Sequence, residues 1–243
     1  YQWLWQKSAN SFEEMTNLSK ATRELLNAHF EFKQLEVDVM QQSNDGTIKN
    51  AVTLHDGLVV ESVLIPTEKR ITACVSSQVG CSLACKFCAT ARLKRQRNLS
   101  VDEIYDQVVA IDRQSWAYKG HKLNNIVFMG MGEPLYNSEQ VGNSLDIICD
   151  PEGIGIGRRR ITISTSGIVP EIGPIGLRTS AMLAISLHAA NDELREKIMP
   201  INRKYPLKEL MQACRDYPGL SNSKRITFEY VMLKNINDTD DDA

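Results

Sequence analysis

Nowhere does the 243-residue sequence hold an apolar run near the roughly 18 to 20 residues of a membrane-crossing helix, and no signal peptide stands at its start. Neither charge is in excess: 28 Lys and Arg stand against 30 Asp and Glu, a net −2. Global charge therefore does not announce a nucleic-acid partner, which would need a local basic patch. Six cysteines in a chain this long are too few for a disulfide scaffold; they suit a reducing cytoplasm, where thiols stay free for metal or catalysis. What remains, 42% hydrophobic and 24% charged, is the composition of a soluble globular chain with room for one large core or two unequal domains.

Three of the six cysteines are packed into Cys81-Ser82-Leu83-Ala84-Cys85-Lys86-Phe87-Cys88. Each lies about a turn from the next, so the thiols can converge on one metal centre. Thiolates are the usual ligands of iron–sulfur clusters, which normally take four, and no fourth cysteine follows nearby. A [4Fe–4S] cluster held by Cys81, Cys85 and Cys88 keeps one iron without a protein ligand, where S-adenosylmethionine (SAM) can chelate through its amino and carboxylate groups. An electron from the cluster then cleaves the sulfonium to a 5′-deoxyadenosyl radical, SAM being among the radical cofactors. Structural zinc is the rival, since it takes three or four Cys or His ligands in a tetrahedron. Zinc pairs usually read C-x2-C twice, and no second pair exists here.

Along the chain, Met15, Leu18, Thr22, Leu25, Leu26 and Phe30 fall at helical spacing and predict an amphipathic packing helix over 11–30, with Trp3 and Trp5 against it. From Lys33 to Pro66 the period shifts to two, and Ser43-Asn44-Asp45-Gly46 and His55-Asp56-Gly57 mark turns, which predicts a β-meander. Glu61 is the single carboxylate of its last strand, Leu58 to Ile65, and reads as an outward-facing charge on an edge. After Pro66, strands near 71–76, 125–130, 160–165, 182–187 and 226–232 alternate with helices near 100–115, 138–149, 169–177, 191–199 and 207–217. The helix at 100 opens on a capping box, Ser100 to Glu103. Repeated βα units imply an α/β fold with a parallel sheet and right-handed crossovers. The expected organisation is a small α+β accessory domain over 1–66 and a barrel-like core over 67–243.

Sites in such sheets gather at the carboxyl ends of strands. The cysteine motif follows the first parallel strand, Gly130-Met131-Gly132-Glu133-Pro134 the second, Ser164-Thr165-Ser166-Gly167 ends the third and Ser186-Leu187-His188-Ala189 the fourth. Gly132 and Glu133 offer backbone groups and a carboxylate for the ammonium of SAM; Ser164, Ser186 and His188 offer bonds to its carboxylate, ribose or adenine. A lone strand-end histidine is also a common structural residue. Gly153-Ile154-Gly155-Ile156-Gly157 precedes a strand rather than a helix, which excludes a dinucleotide loop. Arg92, Lys94, Arg95 and Arg97, with Arg158-Arg159-Arg160, form local basic patches: ordinarily a solvated face, but also a rim able to hold RNA phosphates. Cys74, Cys149 and Cys214 read as packing residues, Cys74 with a reactive role open because of its closeness to the cluster motif.

Together these pieces resemble the RlmN/Cfr family of radical SAM RNA methyltransferases. The resemblance is carried by Cys74 to Cys81, the three-cysteine loop, Arg97-Asn98-Leu99, Met129 to Leu135, Ile161 to Thr165, Ser186 to Ala189 and Phe228 to Leu233, and it runs from about Trp3 to the end. It implies a partial (β/α) parallel barrel with five of six βα units present. It also implies methylation of adenine, with C2-directed members fitting better than C8-directed ones, in 23S rRNA and tRNA. One SAM methylates a cysteine near the C-terminus; the adenosyl radical from a second abstracts hydrogen from that methyl, and the carbon radical adds to the base. The family's proton acceptor falls on Glu61 and its resolving thiol, which ends in a transient disulfide, on Cys74. SAM contacts fall on Gly132, Glu133, Ser164, Ser186, Leu187 and His188. An electron donor such as flavodoxin, a monomeric state and no membrane partner are likewise expected.

Two departures stand out. Lys94-Arg95 occupies the place where the family commonly has Gly-Phe, within the loop from Ala89 to Gln96. The chain starts at Tyr1 and stops on an acidic stretch, Asn237 to Ala243, that reads as the first turn of a helix. It is therefore expected to be a piece of a longer protein, with the methyl-carrying cysteine beyond residue 243, and not to methylate RNA alone. The competing reading is a metal-stabilised RNA-binding module without catalysis, which leaves the Gly132-Glu133-Pro134 loop and the strand-end serines unexplained.

Overall fold

The computed structural model describes residues 2–5, 7, 9–32 and 35–239. Helix α1 (Gln2–Trp5) and helix α2 (Lys20–His29) come first. Helix α2 is shorter than the spacing predicted. Ser19 caps it by accepting the Thr22 N–H at 3.1 Å, and residues 11–18 are turns whose Phe12 and Met15 bury with Ala9 in a small cluster. No residue of α2 itself is buried. Trp3 packs with that cluster, but Trp5 turns to Tyr105, ring edge to ring face at 5.1 Å.

The meander forms as β1 (Glu36–Gln42), β2 (Ile48–Thr53) and β3 (Val59–Pro66), antiparallel, with Gly46 and Gly57 at positive φ in its two turns. Lys33, where the period-two stretch begins, lies outside the described residues. The meander does not stop at Pro66. β3 pairs antiparallel with β4 (Ile71–Cys74), so β1 rather than β3 is the sheet edge and Glu61 lies on an inner strand. From β4 the ladder is parallel through β7 (Asn125–Phe128), β8 (Ile161–Thr165), β9 (Met182–Ser186) and β10 (Ile226–Glu229). A two-stranded ladder that the sequence did not suggest, β5 (Gln78–Val79) with β6 (Arg97–Asn98), closes the base of the cysteine loop. Two-residue strands leave no periodicity to read.

Helices α3 (Val101–Lys119), α4 (Ser138–Ile148), α5 (Val169–Thr179), α6 (Asp192–Ile198) and α7 (Leu207–Arg215) fill the crossovers. One face of the sheet, with Val60, Leu64, Ala73, Ile126, Phe128, Ile161, Ile163, Leu183 and Ile185, buries against Ile104, Val108, Leu145, Ile172 and Leu210 of the helices. This is the expected economy of parallel βα units, in which the helices cover the apolar face. The other face alternates with it and is less covered, as Thr72, Val127, Thr162 and Met182 show. Cys149 and Cys214 pack with the core as predicted. Part of the acidic turn expected after Asn237, residues 240–243, lies outside the described residues.

Candidate active site

Strand register decides which residues share the open face. Val63 is the Cα partner of Cys74, and Cys74 of Val127. Val127 pairs with Thr162, Ser164 with Ala184, and Ser186 with Glu229. Side chains alternate along each strand, so Glu61, Cys74, Ser164, Ser186 and Glu229 all stand on the same, less covered face. At its carboxyl end lies a cavity of about 400 Å³, lined among others by Cys85, Cys88, Glu133, Ser164, Ser186 and His188.

The loops that shape this cavity are locked by contacts only small or polar residues permit. Ser76 donates its hydroxyl to the Glu61 carbonyl at 2.6 Å and accepts the Met131 N–H at 2.8 Å, which joins β3, β4 and the loop after β7. A Cβ on Gly130 would lie 2.8 Å from the carbonyl carbon of Val75, so only glycine allows that approach. Glu133 is buried at 2% exposure, and its carboxylate accepts the Ser166 N–H at 2.8 Å and the Leu135 N–H at 3.1 Å. Burial pushes its pKa up, against those hydrogen bonds. The side chain thus knits the loops after β7 and β8 together as well as facing the cavity.

The cysteine loop folds against α6, where the Lys86 N–H donates to the Ile198 carbonyl at 2.9 Å. Leu83 and Cys85 bury there with Ile198 and Met199. Burial pushes the Cys85 thiol up to about 11, with the neighbouring Cys88 and Cys81 adding to it and the Ser166 hydroxyl opposing. Burial raises Cys81 too. The thiols are thus near enough to feel one another's charge. Yet among the described residues no three Cys, His, Asp or Glu side chains close on a single metal ion.

At the far wall, the Ser164 hydroxyl donates to Glu229 Oε2 at 2.8 Å and Ser186 to the same oxygen at 3.2 Å. The Leu187 N–H donates to the Glu229 carbonyl at 3.0 Å. His188, at φ +58, accepts the Val231 N–H on Nδ1 at 3.0 Å and sets its ring on the edge of Phe87, centroids 4.4 Å apart. Burial holds its pKa below the ordinary range. Cys74 is buried, its thiol pushed up to about 11 by burial. All six cysteines are free thiols, so the disulfide expected of Cys74 is not formed here. Glu61 faces outward, half exposed, and pairs with Lys49 at 2.5 Å.

The basic residues part company. Arg92, Lys94 and Arg95 are exposed beside the cysteine loop. Arg97 is not a free rim cation: it makes two 2.7 Å bonds to the buried Glu103 carboxylate and one of 2.7 Å to Asp56. Arg158-Arg159-Arg160 precedes β8 and so stands at the opposite end of the sheet from the cavity, with Arg158 paired to Asp146. Two residues went unnoticed in sequence. Glu229 showed only as part of an apolar strand motif, and Arg195 as one of several charges on a short helix; nothing local marked either.

A parallel βα sheet with three thiols on the loop after its first strand and polar strand ends around one cavity is the architecture of the radical SAM proteins. A model described as the radical SAM superfamily matches residues 75–243, and one described as the ribosomal RNA large subunit methyltransferase N-terminal domain matches residues 1–32. The chain is 57% identical over 239 residues to a probable dual-specificity RNA methyltransferase RlmN of Flavobacterium johnsoniae, covering 98% of this chain and 68% of that protein. It is 54% identical over 256 residues to a dual-specificity RNA methyltransferase RlmN of Rhodopseudomonas palustris, covering all of this chain and 64% of that protein. A crystal structure of a radical SAM methyltransferase from Sphaerobacter thermophilus superposes with a TM-score of 0.92 at 41% identity, over 100% of this chain and 71% of that one. The chain belongs to the RlmN family of radical SAM RNA methyltransferases.

The cofactors of that family are a [4Fe–4S] cluster and SAM. The residues present fit both. Cys81, Cys85 and Cys88 stand on one loop within reach of one another's charge, two of them on the cavity wall, and three such thiols are the donor set of a cluster. The cavity's volume lies within the range of about 300–1,000 Å³ in which small-ligand sites fall.

Proposed function

We propose that this chain carries the catalytic core of an enzyme that methylates C2 of adenine in 23S rRNA and tRNA, through a methyl-cysteine on a segment following residue 243. The observation that carries the reading is the convergence of four strand ends and the three-cysteine loop on one cavity, with Glu61 and Cys74 on the same face. With cluster and SAM bound, the cofactors supply radical chemistry at that cavity.

The chain's own residues have distinct tasks in this reading. Cys81, Cys85 and Cys88 hold the cluster. Gly132 and Glu133 orient the amino end of SAM, while Ser164, Ser186, Leu187 and His188 hold the rest. Glu61, outward on β3, takes the proton lost from the base, and Cys74 attacks the sulfur of the covalent adduct to release the RNA. Burial keeps Cys74 in the thiol form at neutral pH, so its attack needs a proton acceptor at the site. Arg92, Lys94 and Arg95 guide RNA phosphates, and residues 1–66 add the N-terminal helices and the meander whose last strand carries Glu61 into the core sheet. A cytoplasmic monomer reduced by a flavodoxin-like donor completes the proposal; no helix among the described residues is long and apolar enough to cross a membrane.

The test is anaerobic reconstitution with iron and sulfide, reduction with dithionite in the presence of SAM, and chromatography for 5′-deoxyadenosine. Its formation, and its loss in Cys85→Ala, are expected. For the full-length protein, 2-methyladenosine in treated 23S rRNA or tRNA is expected by mass spectrometry. 8-Methyladenosine would instead move the assignment to C8, and a colourless zinc-binding chain that leaves SAM intact would overturn the enzymatic reading.

A further inference from the structure

Arg195, on α6, is fully buried at 0% exposure. Its four hydrogen bonds all end on neutral oxygens: the carbonyls of Leu187 (3.0 Å), Ser166 (2.8 Å) and Ser186 (3.1 Å), and Asn202 Oδ1 (2.8 Å). No carboxylate lies within ion-pair distance among the described residues. A buried guanidinium without a paired anion is costly, and a fold that keeps one ordinarily sets a negative charge nearby.

The negative charges that would act on it are those of Cys85, Asp192 and Cys214, and Ser166, whose carbonyl accepts from Arg195, also hydrogen-bonds Cys85 through its side chain. Asp192 is exposed to water and reaches Arg195 only through Asn202, whose Nδ2 donates to it at 2.8 Å. Cys214 is a packing thiol that burial keeps neutral. Cys85 is different, because as a cluster ligand it must be a thiolate. The same helix that carries Arg195 is bonded to the cysteine loop through Lys86 and Ile198. In an interior with low effective dielectric, such a fixed charge acts strongly on what lies beside it.

We propose that Arg195 is the fixed counter-charge of the cluster-binding loop, favouring the reduced, more negative state of a cluster held by Cys85 and so raising its reduction potential. Net charge and burial are among the factors that set such potentials. The inference rests on the cluster assignment above. Its alternative is a purely structural role, in which the guanidinium only ties the ends of β8 and β9 through their carbonyls.

Redox titration followed by electron paramagnetic resonance separates the two, on the chain reconstituted with iron and sulfide and reduced stepwise with dithionite. In Arg195→Gln, which keeps donors but not charge, the ratio of reduced to oxidised cluster at a fixed potential is expected to fall about tenfold, or 59 mV for one electron. Arg195→Lys keeps the charge and should stay near the wild type. An unchanged potential in the Gln variant, or equal shifts in Gln and Lys, overturns the proposal. Should neither variant load a cluster, the exchange Asp192→Asn with Asn202→Asp decides. It moves the carboxylate directly onto Arg195 at constant net charge, and a lowered potential supports the proposal while an unchanged one refutes it. A wild-type chain that takes up no cluster would refute the cluster assignment itself, a result distinct from all of these.

Discussion

Ser164 gives its hydroxyl hydrogen to Glu229 at 2.8 Å, reaching from β8 to β10 across the intervening β9. With that hydrogen committed, Ser164 Oγ turns lone pairs toward the cavity and can only accept from a ligand. Ser186, held by the same carboxylate oxygen, is constrained alike. The two serines therefore suit the ammonium or ribose hydroxyls of SAM rather than its carboxylate.

Replacing Glu229 by Gln puts a competing amide donor at that place and frees the serine hydroxyls to turn. The affinity for SAM, measured by isothermal titration calorimetry, should fall about tenfold, the equivalent of one good hydrogen bond. The melting temperature should hardly move, because Glu229 is at the cavity wall and not in the core. An unaltered Kd would sink the argument.

Among the six cysteines only those of the loop should matter for iron. Cys81→Ala, Cys85→Ala or Cys88→Ala should abolish retention of about four irons per chain after reconstitution and desalting. Cys149→Ala and Cys214→Ala, which alter packing positions, should retain it. Equal iron in the Cys85 and Cys149 variants would contradict the assignment of ligands.

The buried thiols make the apo chain sensitive to alkali. Burial pushes both Cys74 and Cys214 from 9.0 up to about 11. A group whose folded pKa is raised contributes stability that is intact below its unfolded value and is lost as pH rises through the folded one. Melting temperature should accordingly fall between about pH 9 and about 11. Cys214→Ala, which removes one of the raised thiols, should lose less over that interval than the wild type. Parallel curves would show that the thiol does not contribute.

Arg97 and its neighbours on the loop should behave differently from one another. Glu103 is buried at 2% exposure; burial alone would raise its pKa, but the Arg97 hydrogen bonds and charge together with the bonds from Ser100 outweigh it and hold the carboxyl low. Removing one partner of such a pair costs about 3 kcal/mol, so Arg97→Ala should lower the melting temperature by several degrees. Arg92→Ala, Lys94→Ala and Arg95→Ala, all at exposed positions, should leave stability alone and weaken RNA binding with a shallower salt dependence. The comparison needs only thermal melts and filter binding at two salt concentrations.

By itself the sequence determined the order of elements and the cluster motif. A period of two marked the meander, strand-like runs alternating with helices marked the parallel sheet, and the crowding of Cys81, Cys85 and Cys88 is a local fact of the chain. Local patterns failed where the decision was not local. The run from 11 to 30 looks helical throughout, yet Phe12 and Met15 gain more by burying with Ala9 than by extending α2. Glu61 looked like an edge residue because nothing in β3 reveals that β4 will pair with it. Register then put Glu61, Cys74 and Glu229 on one face, relayed through β7, β8 and β9 between residues more than a hundred positions apart in the case of Cys74 and Glu229. Arg97 and Arg158 read as alike in a charge count; only the tertiary structure gave one a buried carboxylate and sent the other to the far end of the sheet. Arg195 is the extreme case. Its significance comes wholly from lying at 0% exposure beneath a thiol 110 positions earlier, and burial and distance between remote residues exist only once the chain has folded.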